Sequence, residues 1–370
     1  MVIGFSKINL FIVETPLQLM NAIEAIYYFG LKHNHLLLHT GGTGFPLNYF
    51  SEMLAYNDWE KIRYIRFKAL TFNHNPNYTF HRLSTIFQSF LYDLQKVVNL
   101  QILNHLCRCY TTVDNIFLGN YLRGYQEYMR HIANTITYNS LYLLDDGTDA
   151  LLINEERSNL NCFSTKTSTG FFKTKLKQAL KSCIIDLNIK DAPQLTFYSA
   201  YDLDVNKHDK LIKNSFNHLK LLQIPKSKSS GIYFLGECLV EDSSISLDVY
   251  ISYLGRVKKF FNNKSITYIP HPRESAFTVS SIEQKLNFFI KKLNRSIEID
   301  LCFNPEKPDI VAAFFCSALI NCKHIAGSNI KVISFYLPPD ILNRYKKLSH
   351  RVYNYFQHNS NSTIDLIKNY

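Results

Sequence analysis

The sequence predicts an α/β chain of two doubly wound halves, and three observations carry that reading. Short apolar runs alternate with helical patterns through the first 150 residues, the alternation restarts at Gly231, and a polar, charged stretch lies between. At 370 residues the chain exceeds one ordinary core. Its 46% hydrophobic and 14% aromatic content can fill two cores and excludes wholesale disorder.

In the first half (residues 1–155), Lys7–Val13 is a strand that Glu14-Thr15-Pro16 turns into a helix. Thr15 caps it, and Pro16 suits the first helical position because its missing N–H would be unpaired there anyway. Leu17, Met20, Ile23, Glu24 and Tyr27 continue at helical spacing to Gly30, a C-terminal stop. His35–His39 is a second strand. The glycine cluster Thr40–Gly44 after it lacks the Lys and Ser/Thr of a Walker loop and the spacing of a dinucleotide fingerprint, so it reads as a flexible loop. Ile62–Phe67 and Asn115–Gly119 are further strands, with an amphipathic helix at Ser84–Leu106 and another helix at Tyr121–Asn134.

The pivotal stretch is LYLLDDGTDA, Leu141–Ala150. Four apolar residues suit a strand buried on both faces, Asp145 and Asp146 stop it, and Gly147 lets the backbone turn. Ligands in open α/β sheets bind just beyond the carboxyl ends of strands, which makes the two carboxylates acid–base candidates. The plainer alternative is a strand-to-turn corner with solvated aspartates.

Residues 156–230 read as a basic, polar connecting region and hinge. Lys173, Lys175, Lys177 and Lys181 cluster there, as a solvated face or as a patch for anionic lipid or acceptor, and Lys226–Ser230 after Pro225 cannot pack a core. In the second half (231–338), Ile232–Leu235 is a strand ended by Gly236, Leu247–Phe261 a helix, and Ser265–Ile269 a strand running into Pro270-His271-Pro272-Arg273. Ile297–Phe303, Asp309–Ile320 and Val332–Phe335 continue the pattern. Residues 339–370 read as basic helices carrying Arg344, Lys346, Lys347 and Arg351, the last of them crossing back onto the first half. Two flanking prolines hold His271 in extended backbone at a strand end. Ser317 offers a hydroxyl and nearby N–H groups for a phosphate if a helix starts there.

A formal charge of +11 and a pI near 9.1 favour an anionic partner: nucleic acid, a membrane surface or a phosphorylated small molecule. The eight cysteines, at 107, 109, 162, 183, 238, 302, 316 and 322, match no zinc or redox spacing and read as reduced and structural, hence cytoplasmic. Neither a secretory signal nor an 18-residue apolar window is expected to anchor the chain. Two rival readings stand: Asp202-Leu-Asp204 as a metal-binding pair on a nucleotide-diphosphate sugar, and a nucleic-acid-binding protein suggested by the charge and 24 tyrosines. The dispersed lysines and absent binding signatures weigh against the second.

Three motifs together, LLDDGTDA (Leu143–Ala150), YIPHPRE (Tyr268–Glu274) and FFCSALI (Phe314–Ile320), resemble those of glycosyltransferase family 52, the lipooligosaccharide sialyltransferases, with the bacterial polysialyltransferases as relatives. IVETPLQ (Ile12–Gln18) and IYFLG (Ile232–Gly236) add to the likeness. The family often has two adjacent hydroxyl residues in the third motif, where this chain has Cys316 before Ser317.

The resemblance implies a GT-B-like fold, two Rossmann-like doubly wound domains facing a central cleft. It implies an inverting, metal-independent transfer of sialic acid from CMP-sialic acid to a bacterial surface glycan such as lipooligosaccharide, O-antigen or capsule, with another nucleotide sugar as the alternative donor. Asp146 is then the expected base, its pKa raised by Asp145, and a protonated His271 neutralises the departing phosphate. Gly147, Thr148, Pro272, Arg273, Ser317, Gly236, Thr15 and Gln18 form the expected substrate-binding set. No cofactor is implied. The expected partners are a CMP-sugar donor, a glycan or lipid-linked acceptor, an anionic membrane surface on the cytoplasmic face of the inner membrane and a second copy of the chain, and no nucleic acid.

Overall fold

A computed structural model describes residues 7–40, 45, 47–57, 59–66, 98–122, 127–159, 187–229, 231–358 and 364–370. Residues 41–44 of the glycine cluster, residues 84–97 of the expected amphipathic helix and the Lys173–Lys181 run lie outside them.

The first half runs β1 (Asn9–Val13), α1 (Pro16–Phe29), β2 (Asn34–His39), α2 (Asn48–Leu54), β3 (Lys61–Ile65), α3 (98–108), β4 (Thr112–Leu118), α4 (Glu127–Thr135), β5 (Thr137–Leu144), α5 (Asp149–Asn159), β6 (Thr196–Ser199) and β7 (Lys210–Lys213). Among the described residues its seven strands form one sheet in the order β3-β2-β1-β4-β5-β6-β7, every pair parallel. Strand β1, NLFIV, is buried throughout, as suits a central parallel strand covered on both faces. Registers Phe11↔Phe117 and Phe117↔Tyr142 stack three rings across β1, β4 and β5, with centroids 4.4 and 4.5 Å apart.

Helix α1 begins at the Thr15 cap with Pro16 behind it and ends at Gly30 in the left-handed conformation. Its buried face is partly polar. Gln18 accepts the Glu14 N–H (2.7 Å), Asn21 donates to the Asp145 carbonyl (3.0 Å) and accepts from Asn214 (2.9 Å), and Glu24 accepts the N–H groups of His218 and Leu219. The last two open α6 (Asn217–Leu222) in the connecting region.

The second half runs β8 (Lys228–Ser229), β9 (Ile232–Leu235), α7 (Leu247–Phe260), β10 (Ile266–Ile269), α8 (Ala276–Leu286), β11 (Phe289–Ile290), α9 (Ile297–Phe303), β12 (Glu306–Lys307), β13 (Ile310–Ala313), α10 (Ala318–Ala326), β14 (Lys331–Phe335), α11 (Lys346–His358) and β15 (Asp365–Ile367). Six strands pair in the parallel order β11-β10-β9-β13-β14-β15, and β8 pairs separately with β12. Both sheets are doubly wound, so each has a switch point, between β1 and β4 and between β9 and β13.

Three expectations are corrected here. The stretch expected to connect the halves donates β6 and β7 to the first sheet, because the buried TFYS run pairs with β5. Lys228 and Ser229 of the expected hinge form a short strand instead. The segment 339–370 is not helical to its end: β15 adds to the second sheet beside β14. Helix α11 does reach the first half, where Arg351 pairs with Glu155 and the Tyr355 hydroxyl accepts the Asp202 N–H at 3.0 Å.

Candidate functional site

In the first half the site is built at the strand ends around the switch point. Thr15, after β1, donates to Asp146 Oδ1 (3.2 Å) while its oxygen accepts the Gln18 N–H (3.2 Å), so one hydroxyl caps α1 and fixes the carboxylate. Asn120, after β4, uses its side-chain N–H₂ on two carboxylates at once, Asp146 Oδ2 at 2.8 Å and Asp149 Oδ2 at 3.0 Å. Burial pushes the Asp146 carboxyl up to about 7 and the like charge of Asp149 pushes the same way, while Asn120, Gln18 and Thr15 oppose them. The like charge expected from Asp145 therefore comes from Asp149. Asp145 turns away from the cleft and accepts the Ala200 N–H at 2.6 Å; burial raises it to about 7.

In the second half the site hangs on one buried and one half-buried carboxylate under the His-Pro turn. Glu237, after β9, accepts the N–H groups of Phe314 (3.1 Å) and Phe315 (3.2 Å) after β13, spanning that switch point. Glu274 takes the Tyr268 hydroxyl and the His271 N–H, each at 2.6 Å, which fixes the turn. A Cβ on Gly236 would fall 2.2 Å from Glu274 Oε2 and 2.5 Å from the Tyr268 hydroxyl, so a larger residue there would displace that carboxylate. Burial raises Glu274 to about 7 and Glu237 to about 8.

His271 differs from expectation in its protonation. Burial, with the Arg273 charge beside it, pushes the imidazole down to about 4 against the pull of Asp242 and Glu241. The ring is neutral near pH 7. Its Nδ1 accepts the Arg273 N–H (3.2 Å) and lies 2.8 Å from the Cys238 thiol, itself pushed up to about 12 by burial. Both donors aim at Nδ1, so the ring proton sits on Nε2.

The two halves meet at Gly147, where φ is +63° and an added Cβ would lie 2.6 Å from Ser317 Oγ. Ser317 precedes α10, its hydroxyl making no bond back to the N–H groups of that helix. Around this contact lies a cavity of about 260 Å³ between the halves. Thr15, Asp146, Gly147, Gly236, His271, Pro272 and Ser317 line it, together with Tyr49, Arg295 and Glu298. Of the other expected residues, Gln18 lies behind Asp146, Thr148 is buried at the start of α5, and Arg273 pairs with Asp242 at 3.7 Å. Asp202 of the Asp-Leu-Asp tripeptide pairs with Lys213 (2.5 Å) on the exposed surface, away from the cavity.

Sequence reasoning missed Asn120, Asp149, Glu237 and Arg295 as parts of the site. Asp149 lay inside the quoted motif, whereas the others carry no local signal. Among the described residues, no group of three or more His, Cys, Asp and Glu side chains is placed to hold a metal ion, and no helix is long and apolar enough to cross a membrane.

No protein-family model and no curated protein matches this sequence. Solved structures do match it in shape. LpCGTa in complex with UDP aligns over 98% of this chain and 85% of its own at 7% identity and a TM-score of 0.50. A protein of Listeria monocytogenes, provisionally assigned as a UDP-N-acetylglucosamine 2-epimerase, aligns over 96% and 89% at 7% identity and 0.49. The GT-B domain of a sialyltransferase from Photobacterium damselae aligns over 97% and 99% at 12% identity and 0.44. At these identities the likeness is one of fold: two Rossmann-like halves facing a cleft, the GT-B arrangement.

Proposed function

We propose that the protein is an inverting, metal-independent glycosyltransferase that moves sialic acid from CMP-sialic acid to a hydroxyl of a bacterial surface glycan. The observation that supports this most is the placing of Asp146 on one wall of the cavity and His271 and Ser317 on the other. A carboxylate with raised proton affinity stands opposite two hydrogen-bond donors, the pairing a group transfer between a nucleophile and a phosphate needs.

In this reading the acceptor hydroxyl gives its proton to Asp146 as its oxygen bonds to the anomeric carbon. The bond from that carbon to the phosphate oxygen breaks, and CMP departs with the electron pair. His271 donates through Nε2–H as a neutral ring, and the Ser317 hydroxyl at the N-terminal end of α10 holds the same phosphate. CMP needs no protonation to leave, so a ring that stays neutral suffices. A lipid-linked acceptor at the inner membrane and a dimeric enzyme follow from the family resemblance alone.

Calorimetric titration with CMP, UDP and GDP, on the native protein and on His271→Ala, tests the proposal. CMP is expected to bind in preference to the other two, and the substitution to weaken binding and to slow transfer by roughly 100-fold or more. Preference for UDP, the nucleotide held by LpCGTa, would replace the donor and keep the two-half transferase. Absence of binding to all three would overturn the assignment.

A further inference from the structure

We propose that Asp149 is a positioning residue for Asp146: its like charge, clamped against Asp146 by the side-chain amide of Asn120, makes Asp146 basic enough to take the acceptor proton, which the pair then holds jointly. This rests on the reading of Asp146 as the base.

The geometry is specific. One amide nitrogen reaches both carboxylates, 2.8 Å to Asp146 and 3.0 Å to Asp149, while the same side chain's oxygen accepts the Leu122 N–H at 2.7 Å and cannot rotate away without losing it. Asp149 stands in the first turn of α5, where the helix end favours its ionised form. Asp146 alone of the two lines the cavity. The substrate-facing carboxylate is therefore backed by a second one that never meets substrate. Transfer starts from the doubly ionised form of the pair. The acceptor proton enters through Asp146, the pair passes from two negative charges to one, and the proton leaves to solvent after the product does.

The groups around the pair set its balance. Thr15 at the start of α1 and Asn120 stabilise the ionised Asp146, Glu156 on α5 adds negative charge beside Asp149, and Tyr201 beyond β6, which also faces Asp145, stays protonated. Burial raises both carboxyls of the pair. They titrate together, so neither owns the proton outright.

The experiment is a pH titration of ¹³C-labelled aspartate carboxyl resonances, with Asp146 assigned by its loss in Asp146→Asn, alongside the pH profile of transfer. Asp149→Asn removes the like charge and is expected to lower the Asp146 midpoint by roughly one pH unit or more. The acidic limb of the rate profile should move with it, and the maximal rate should fall. Asn120→Ala removes the shared donor and should move both in the opposite direction. A merely structural Asp149 would reduce folded protein without moving the midpoint. An Asp146 resonance that titrates at the same pH in all three proteins overturns the proposal. Midpoints that shift as expected in a protein that binds no nucleotide would keep the coupled pair and discard its role in transfer.

Discussion

Gly147 is one of the places where the two halves touch, and two constraints act on it at once. Its backbone is left-handed, and its missing Cβ leaves room for Ser317. Gly30 shares the conformation, with φ +61°, but has nothing within 4 Å of its would-be Cβ. Gly30→Ala should therefore carry the backbone cost alone, about 1 kcal/mol. Gly147→Ala should cost more in thermal unfolding and weaken nucleotide binding tenfold or more, while Gly30→Ala leaves binding unchanged; equal behaviour of the two would show that the approach of Ser317 does not matter. Glycine, two aspartates and a histidine between prolines were legible because each marks a strand end by itself. Asn120 was not. Its role arises from the neighbouring ends of β4 and β5, which no local spacing reveals, and the same holds for Arg295, whose partners Glu52 and Asp300 lie on different halves.

Strands with mostly apolar runs were equally legible, and β1, β2, β5, β9 and β10 fall close to where the sequence places them. Others were not. Strands β6 (TFYS), β7 (KLIK) and β15 (DLI) carry polar or charged residues at one or both ends, so their identity comes from the partner they pair with and hardly from their own composition. The ends of β9 and β10 hold a network whose effect on stability can be read. In the folded protein Glu237 and Glu274 keep protons up to about pH 8 and 7, whereas unfolded they would ionise near the ordinary value. The folded state thus binds the extra protons, and stability falls as pH rises through that window. Half-buried, neutral His271 and His324, both pushed to about 4, act in the other direction only below about pH 6.5. Between pH 6.5 and 8 the carboxyls act without them. Glu237→Gln keeps an oxygen for the N–H groups of Phe314 and Phe315 and removes the ionisation, so its melting temperature should gain a few degrees on the native protein across that interval. A constant difference between the two proteins would mean that Glu237 is ionised throughout.

The whole molecule is held shut over the cavity by contacts from α2. The Tyr49 hydroxyl donates to the Leu293 carbonyl at 2.7 Å, and Arg295 pairs with Glu52 at 2.8 Å. The ion pair is partly exposed, so removing it should change stability by less than about 1 kcal/mol. Its larger effect should be on the relation of the halves. Tyr49→Phe combined with Arg295→Ala is expected to enlarge the radius of gyration of the nucleotide-free protein in X-ray scattering and to weaken nucleotide binding several-fold; an unchanged radius would place the closure elsewhere. How the halves move follows from the polar stripe on α1. Gln18, Asn21 and Glu24 are locked by buried hydrogen bonds from the Asp145 turn to the first N–H groups of α6, and a slip of α1 by a fraction of a turn would leave them all unpaired. In kinematic terms α1 and the N-terminal end of α6 travel as one rod with the first sheet. Helix α6 also packs against α9 and α10 of the other half. For the halves to part, α6 would have to slide over α9 and α10, a shear with small steps between discrete packings.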